Sequence, residues 1–148
     1  MRTVRRLYFY ATAFVSLEVV LWGLIGLVRS LFCGRGNAVC GTAAILAQGL
    51  ALVLVGLPVF GFHWWMAERF ARRDGEERAS GVRAVFLYGV LLATLIPIVQ
   101  SALSLLDRLV LQMVGLSASQ VIIGPNQSWS DHLIAIGMNT IAAAYFIT

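Results

Sequence analysis

The chain has 148 residues, of which 59% are hydrophobic and 12% are charged, and its mean hydropathy is +0.84. Soluble domains carry about 25% charged residues, so this composition excludes an ordinary soluble domain and instead suits about four membrane spans of ~20 residues. The net charge is +4 and all 11 basic residues are arginines placed at the ends of apolar runs, which indicates membrane topology and contact with anionic lipid rather than nucleic-acid binding.

The first apolar run, residues 7–28, predicts a transmembrane helix. It is longer than the core of a signal peptide and no small-residue cleavage site follows it, so we expect it to be retained. Glu18 would lie about 17 Å along a helix that begins at Leu7, close to the bilayer midplane. A carboxyl group is costly at that depth, and Glu18 is therefore a candidate functional residue.

Two cysteines, Cys33 and Cys40, lie in the connection after the first span, in the sequence C-G-R-G-N-A-V-C. Their spacing differs from the C-x-x-C of redox motifs, and the chain has no further cysteines for a four-thiolate zinc site. The two thiols either form a disulfide that closes the loop or remain free.

The second predicted span, residues 42–62, contains Pro58. We expect a kink there, because proline removes one hydrogen bond of the helix and its ring crowds the preceding turn. Glycines inside the first two spans are expected to let helices approach closely. They are Gly23, Gly26, Gly49, Gly56 and Gly61.

Aromatic residues and arginines follow the second span. The residues concerned are Trp64, Trp65, Arg69, Arg72 and Arg73. They form either a contact for lipid headgroups or an aromatic belt followed by charges that set topology. The i,i+4 pairs Glu68–Arg72 and Asp74–Arg78 predict local helix supported by ion pairs.

The third predicted span, residues 84–106, contains Pro97, where we expect a second kink. The fourth, residues 133–148, is preceded by Ser130 and Asp131, either of which suits a helix cap. Its 16 residues fall slightly short of the usual minimum of about 17. We therefore expect the natural chain to continue beyond Thr148.

Arginines predict the orientation of these spans. Eight of the 11 lie in the N-terminal tail and in the connection at residues 66–83, which places both on the cytoplasmic side. With four spans the C-terminus is also inside, and Cys33 and Cys40 are outside, where a disulfide persists. The predicted fold is an all-α polytopic membrane protein, a single domain over residues 1–148.

Glu18 needs a polar partner in the membrane if it is not exposed to water. The candidates in the other spans are Gln48, Thr94, Gln100, Ser101 and Asn139. Either a neutral Glu18 joins two helices by a hydrogen bond, or it is the centre of a small transporter or proton-coupled carrier.

His63 and His132 are the only histidines. They would lie at opposite faces of a core ~30 Å thick, so they cannot share one iron within the chain. Either both are interface residues, or a single histidine serves as an axial ligand to a haem or chlorin. No other cofactor and no metal site is predicted.

Three sequence patterns carry a resemblance to a known family: R-R-L-Y-F-Y at Arg5–Tyr10, G-L-P-V-F-x-F-H-W at Gly56–Trp64, and E-R-x-S-x-x-R-x-x-x-L-Y at Glu77–Tyr88. The chain resembles a bacterial integral-membrane domain family of unknown function, whose domain often occurs in tandem copies. It departs from that family at Trp65–Met66, where the family has an arginine-containing exit. The resemblance implies a four-helix unit and supports continuation of the chain, but it implies no activity.

The sequence contains no nucleophile elbow, Walker loop, zinc-protease motif or paired carboxylates at one membrane face, so we predict that it is not an enzyme. The favoured role is a scaffold or accessory subunit in the bacterial inner membrane. Its expected partners are lipids and other membrane subunits or a second copy. The alternatives are a transporter centred on Glu18 and a pigment- or haem-binding subunit.

Overall fold

The computed structural model describes residues 2–32, 43–73, 81–115 and 128–147. Those residues form four α-helices and no strand: α1 (Arg2–Leu31), α2 (Ala43–Arg73), α3 (Gly81–Val114) and α4 (Trp129–Ile147). Each helix overlaps one of the predicted apolar runs, which confirms the all-α prediction. The chain divides into two compact units, Met1–Leu91 and Leu92–Thr148.

Within the first unit, α1 and α2 form an antiparallel pair whose close approach depends on glycine. A Cβ atom placed on Gly56 would lie 2.8 Å from Val20 Cγ2, and one on Gly23 would lie 2.9 Å from Leu52 Cβ. Gly49 is similarly close to Leu27, whereas Gly26 and Gly61 have open space beside them. The expectation of close packing therefore holds for three of the five glycines.

The first turns of α3 run parallel to α1. Phe86 contacts Tyr10 with ring centroids 5.3 Å apart, and a Cβ on Gly89 would lie 3.7 Å from Phe14. Tyr10 and Phe86 are both buried, with 3% and 5% of their surface exposed. This aromatic contact joins α1 to the start of α3 within the first unit.

Prolines do not interrupt the two longest helices. The helical backbone of α2 continues through Pro58 and that of α3 through Pro97. The predicted kinks at these positions remain predictions. Helix α3 also continues past residue 106, where the predicted span ended, and stops just before Gly115, whose φ of 75° is the left-handed conformation that terminates helices.

Among the described residues, three helices are long and apolar enough to cross a membrane, namely α1, α2 and α3. The prediction of a fourth transmembrane helix was wrong by this measure. The polar residues Ser130, Asp131 and His132 belong to the first turn of α4, so the apolar part of the helix covers only residues 133–147. At 1.5 Å per residue that part is about 22 Å long, less than the ~30 Å hydrocarbon core.

Helix α4 begins with a capping box rather than with the predicted Ser130 or Asp131 cap. The Ser128 N–H donates to Asp131 Oδ2 at 2.9 Å, and the Asp131 N–H donates to Ser128 Oγ at 3.3 Å. These two hydrogen bonds satisfy the backbone N–H groups of Ser128 and Asp131, and the second of these lies in the first turn of α4. The pattern identifies Ser128 as the N-cap.

The second unit contains several buried polar side chains. They are Thr94, Ser101, Ser104, Arg108, His132 and Asn139. Two of them donate a hydrogen bond to a carbonyl oxygen of their own helix: Ser104 Oγ donates to Gln100 O at 3.0 Å, and Asn139 Nδ2 donates to Ala135 O at 2.8 Å. Burial of such groups is favourable only when they are hydrogen-bonded.

Candidate functional site

The polar residues of the first unit concentrate where α2 ends and α3 begins. An aromatic contact supports this end, because Trp64 stacks on Phe86 with ring centroids 5.5 Å apart and an interplanar angle of 24°. Trp64 also lies parallel to Phe60, at 6.4 Å. Trp64 therefore packs against aromatic residues of α2 and α3, and its predicted headgroup contact stays a prediction.

Glu68 joins α2 to the first turn of α3. Its Oε2 lies 3.4 Å from Arg83 Nη2, and its Oε1 lies 3.5 Å from Arg72 Nε. The second contact confirms the predicted i,i+4 pair. Sequence reasoning missed the first, since 15 positions separate the two residues. The other predicted pair, Asp74–Arg78, lies outside the described residues.

Four residues on successive turns of α2 form what we call the Trp65 surface: Trp65, Glu68, Arg69 and Arg72. They line an open cavity of 270 Å³. The Arg69 guanidinium carbon lies 5.2 Å from the centre of the Trp65 ring, in cation–π geometry. Trp65 is 55% exposed and the Arg72 side chain 74% exposed, so the surface is open to an external ligand.

Charges on the Trp65 surface do not balance. Glu68 is shared between Arg72 and Arg83, and Arg69 has no carboxylate partner in the described part of the chain. The structure thus brings together three of the five residues predicted to contact lipid headgroups. Of the other two, Trp64 faces away and the Arg73 side chain lies outside the described residues.

Glu18 is partly buried on α1. Its Oε1 is buried, and the carboxyl group has no hydrogen-bond partner among the described residues. Helical periodicity places Glu18 on the same face as Leu7, Ala11 and Phe14, which line an apolar cleft of 570 Å³ between α1 and α3. Glu18 lies one turn beyond Phe14 along this face.

The polar residues proposed as partners of Glu18 differ in their exposure. Gln48 and Gln100 are exposed, whereas Thr94 is fully buried, with Ser101 at 8% exposure and Asn139 at 4%. Neither glutamine amide has a hydrogen-bond partner among the described residues, and Asn139 is bonded within α4. The position of each residue along its predicted span gives its depth in the membrane, but it does not show which of these residues are exposed and which are buried.

The two histidines occupy different environments. His63 Nδ1 donates to Val59 O at 2.8 Å, and its ring contacts Tyr8 and Phe9 at 5.8 and 5.7 Å. Because a carbonyl only accepts, Nδ1 carries the proton, and in the neutral ring Nε2 retains its lone pair. His132 is 3% exposed and belongs to the second unit, and its predicted position at the membrane interface stays a prediction.

Cys33 and Cys40 lie outside the described residues. The choice between a disulfide and two free thiols therefore stays open, as the sequence left it.

Comparison with known proteins identifies a family but no activity. A family model described as a domain of unknown function, DUF5671, covers residues 6–141. No curated protein and no solved structure matches the chain. The predicted resemblance is confirmed as far as a family of unknown function. Because the family model spans most of its length, the chain belongs to the DUF5671 family.

Proposed function

We propose that this protein is a non-catalytic scaffold or accessory subunit of a larger membrane complex, with energy-transducing complexes as one class of host. In this proposal α1, α2 and α3 cross the bacterial inner membrane, with the N-terminus and the α2–α3 connection in the cytoplasm. The arginine distribution supports that orientation, since eight of the 11 arginines lie in residues 2–6 and in residues 66–83, which include the α2–α3 connection.

Gln48 and Gln100 carry the proposal. Both lie within apolar stretches of helices able to span a membrane, both are exposed, and neither amide is hydrogen-bonded within the described residues. An amide in hydrocarbon is costly without a partner, and membrane helices satisfy such groups by hydrogen bonds to neighbouring helices. Helices of another subunit or of a second copy would supply those bonds.

The small extent of internal packing agrees with this role. Only 11% of the most apolar window of α2 and 17% of that of α3 is buried inside the chain. The remaining surface is available to lipid and to other helices, and small residues such as Ala44 and Ala47 on the exposed part of α2 favour close helix contacts.

The test is purification of the tagged full chain from its own membrane in mild detergent, followed by size-exclusion chromatography and mass spectrometry. We expect a defined complex with other membrane subunits or with itself, which is lost or weakened in Gln48→Leu and Gln100→Leu. Leu57→Ala changes a 53% exposed apolar residue of α2 and is the matched control. A monomeric wild-type chain with no co-purifying subunit would overturn the proposal.

A second candidate function is a small transporter or proton-coupled carrier centred on Glu18. The observation that favours it is the buried Oε1, which has no hydrogen-bond partner among the described residues and is adjacent along α1 to an apolar cleft of 570 Å³. Intramembrane carboxyl groups commonly serve ion and proton pathways. Flux of protons or solutes into vesicles containing the purified chain would distinguish this function from the scaffold.

A third candidate is a pigment- or haem-binding subunit, supported by the environment of His63. Ligating histidines usually donate their other ring N–H to a carbonyl or carboxylate, as Nδ1 of His63 does to Val59 O. Such binding gives the purified wild-type protein a visible absorbance band that is lost in His63→Ala. A colourless wild-type protein, purified without added chelator, would eliminate this candidate.

A further inference from the structure

The Trp65 surface has features of a binding site for a phosphate group, which go beyond the scaffold role. We propose that it binds the phosphate of an anionic phospholipid through Arg69 and Arg72, with Trp65 beside the upper part of the acyl chains. The ligand comes from the leaflet that contacts this end of α2. The site does not depend on which complex the protein joins.

Helix geometry brings the three residues to one side. Trp65, Arg69 and Arg72 are spaced i, i+4 and i+7, so they project from one face of α2 on successive turns. The contact between Arg69 and the Trp65 ring, at 5.2 Å, holds the guanidinium toward the aromatic residue. Guanidinium groups bind phosphate by paired hydrogen bonds, and the 270 Å³ cavity beside them is open to a ligand.

Charge complementarity points to an anion. Among the described residues that line the cavity, Glu68 is the only carboxylate, and it already contacts both Arg72 and Arg83. The Arg83 side chain is only 19% exposed, so it is largely covered by the protein. The Arg72 side chain is 74% exposed and is accessible to a ligand. Within the described residues, therefore, no carboxylate pairs with Arg69 or with the outer nitrogens of Arg72.

The apolar residues that continue this face of α2 favour a lipid over a free phosphate. Leu54, Phe62 and Trp65 lie on the side of α2 that carries Arg69, and their exposed fractions are 63%, 54% and 55%. This stripe runs from the arginines into the part of the helix able to span a membrane. Acyl chains attached to the bound phosphate would lie along it, and a free phosphate would leave it uncovered.

The test uses the purified full chain and native mass spectrometry, with an equimolar mixture of phosphatidylglycerol and phosphatidylcholine that have the same acyl chains. We expect wild-type protein to retain phosphatidylglycerol preferentially. Loss of one arginine near a membrane surface weakens anionic-lipid binding about fivefold, so Arg69→Gln and Arg72→Gln should each lower the retained fraction by about that factor.

Arg5→Gln is the matched control, because Arg5 is also an exposed arginine in cation–π geometry, 4.8 Å above Phe70. We expect it to leave the phosphatidylglycerol preference unchanged. An equal loss in Arg5→Gln and Arg69→Gln would mean that diffuse positive charge attracts the lipid, and it would overturn the proposed site. A wild-type chain that retains both lipids equally would overturn it as well.

A competition experiment distinguishes a bound phospholipid from a free phosphate compound. Millimolar inorganic phosphate and glycerol 3-phosphate are added to the lipid-loaded protein before measurement. We expect the phosphatidylglycerol adduct to persist, since the apolar stripe contributes to its binding. Displacement of the lipid by either free anion would show that the arginines bind phosphate without its acyl chains, and would refute the lipid proposal.

Discussion

Glu68 Oε2 and Arg83 Nη2 lie 3.4 Å apart and tie the last turns of α2 to the first turn of α3. The pair lies next to the aromatic contact between Trp64 and Phe86, so polar and apolar contacts hold the same helix ends together. The Glu68 and Arg83 side chains are only 25% and 19% exposed, and solvent therefore screens the pair less than it screens a fully exposed ion pair.

Glu68→Gln should lower the stability of the protein by about 1 kcal/mol, because it removes the charge that pairs with Arg83. Thermal unfolding in mild detergent, followed by tryptophan fluorescence, measures the effect. Arg72→Gln is the control, since Arg72 is 74% exposed and its contact with Glu68 should contribute little. A larger loss in Arg72→Gln than in Glu68→Gln would contradict this assignment.

Gly56→Ala should weaken the packing of α1 against α2. A Cβ there would lie 2.8 Å from Val20 Cγ2 and 3.2 Å from Val19 Cγ1, and β-branched side chains have little freedom to move away. Overpacking of this kind costs about 1–3 kcal/mol. Unfolding in detergent would show it as a lowered midpoint.

Gly61→Ala is the matched control for Gly56→Ala. It lies in the same helix five residues later, and a Cβ there would have no atom of the described residues within 4 Å. Alanine is the better helix former, so this variant should be neutral or slightly stabilising. Similar losses of stability in both variants would indicate a general helix effect rather than contact with Val20.

The sequence predicts the helices well because apolar runs and their length depend only on local composition. Residues 7–28, 42–62 and 84–106 each lie almost entirely within a helix able to cross a membrane. The helices extend further because Arg69, Arg72 and their neighbours continue α2 beyond its apolar part. The fourth run differs because it has only 16 residues, and the residues that α4 adds before it include the polar Asp131 and His132.

The candidate site was only partly predictable because it depends on which way adjacent side chains face. Trp64 and Trp65 are neighbours in sequence and equally suited to an interface, yet about 100° of helix rotation separates them. Trp64 contacts Phe86 of α3, and Trp65 is exposed beside Arg69. Trp64 and Trp65 differ because of the contact between Trp64 and Phe86, which joins α2 to α3. The periodicity of α2 alone does not reveal a contact with another helix.

Glu18→Gln should leave assembly intact if the carboxyl group is a neutral hydrogen-bonding group, because glutamine keeps the size and the hydrogen-bonding capacity. Glu18→Leu should then weaken assembly, since it removes every polar atom. Size-exclusion profiles of the two variants in mild detergent measure this difference. Normal assembly of Glu18→Gln with loss of proton or solute flux would favour the transporter over the scaffold.

Ser128→Ala should weaken the start of α4 by about 1 kcal/mol, because Ser128 Oγ accepts the Asp131 N–H and also donates to Asp131 Oδ2 at 2.7 Å. Amide hydrogen exchange of the first turns of α4 in detergent measures the effect locally, and we expect faster exchange at Asp131 and His132. Ser130→Ala is the control, since the Ser130 hydroxyl contacts only Ser128 Oγ among the described hydrogen bonds of the cap. Faster exchange in Ser130→Ala than in Ser128→Ala would favour Ser130 as the cap and would contradict the capping box.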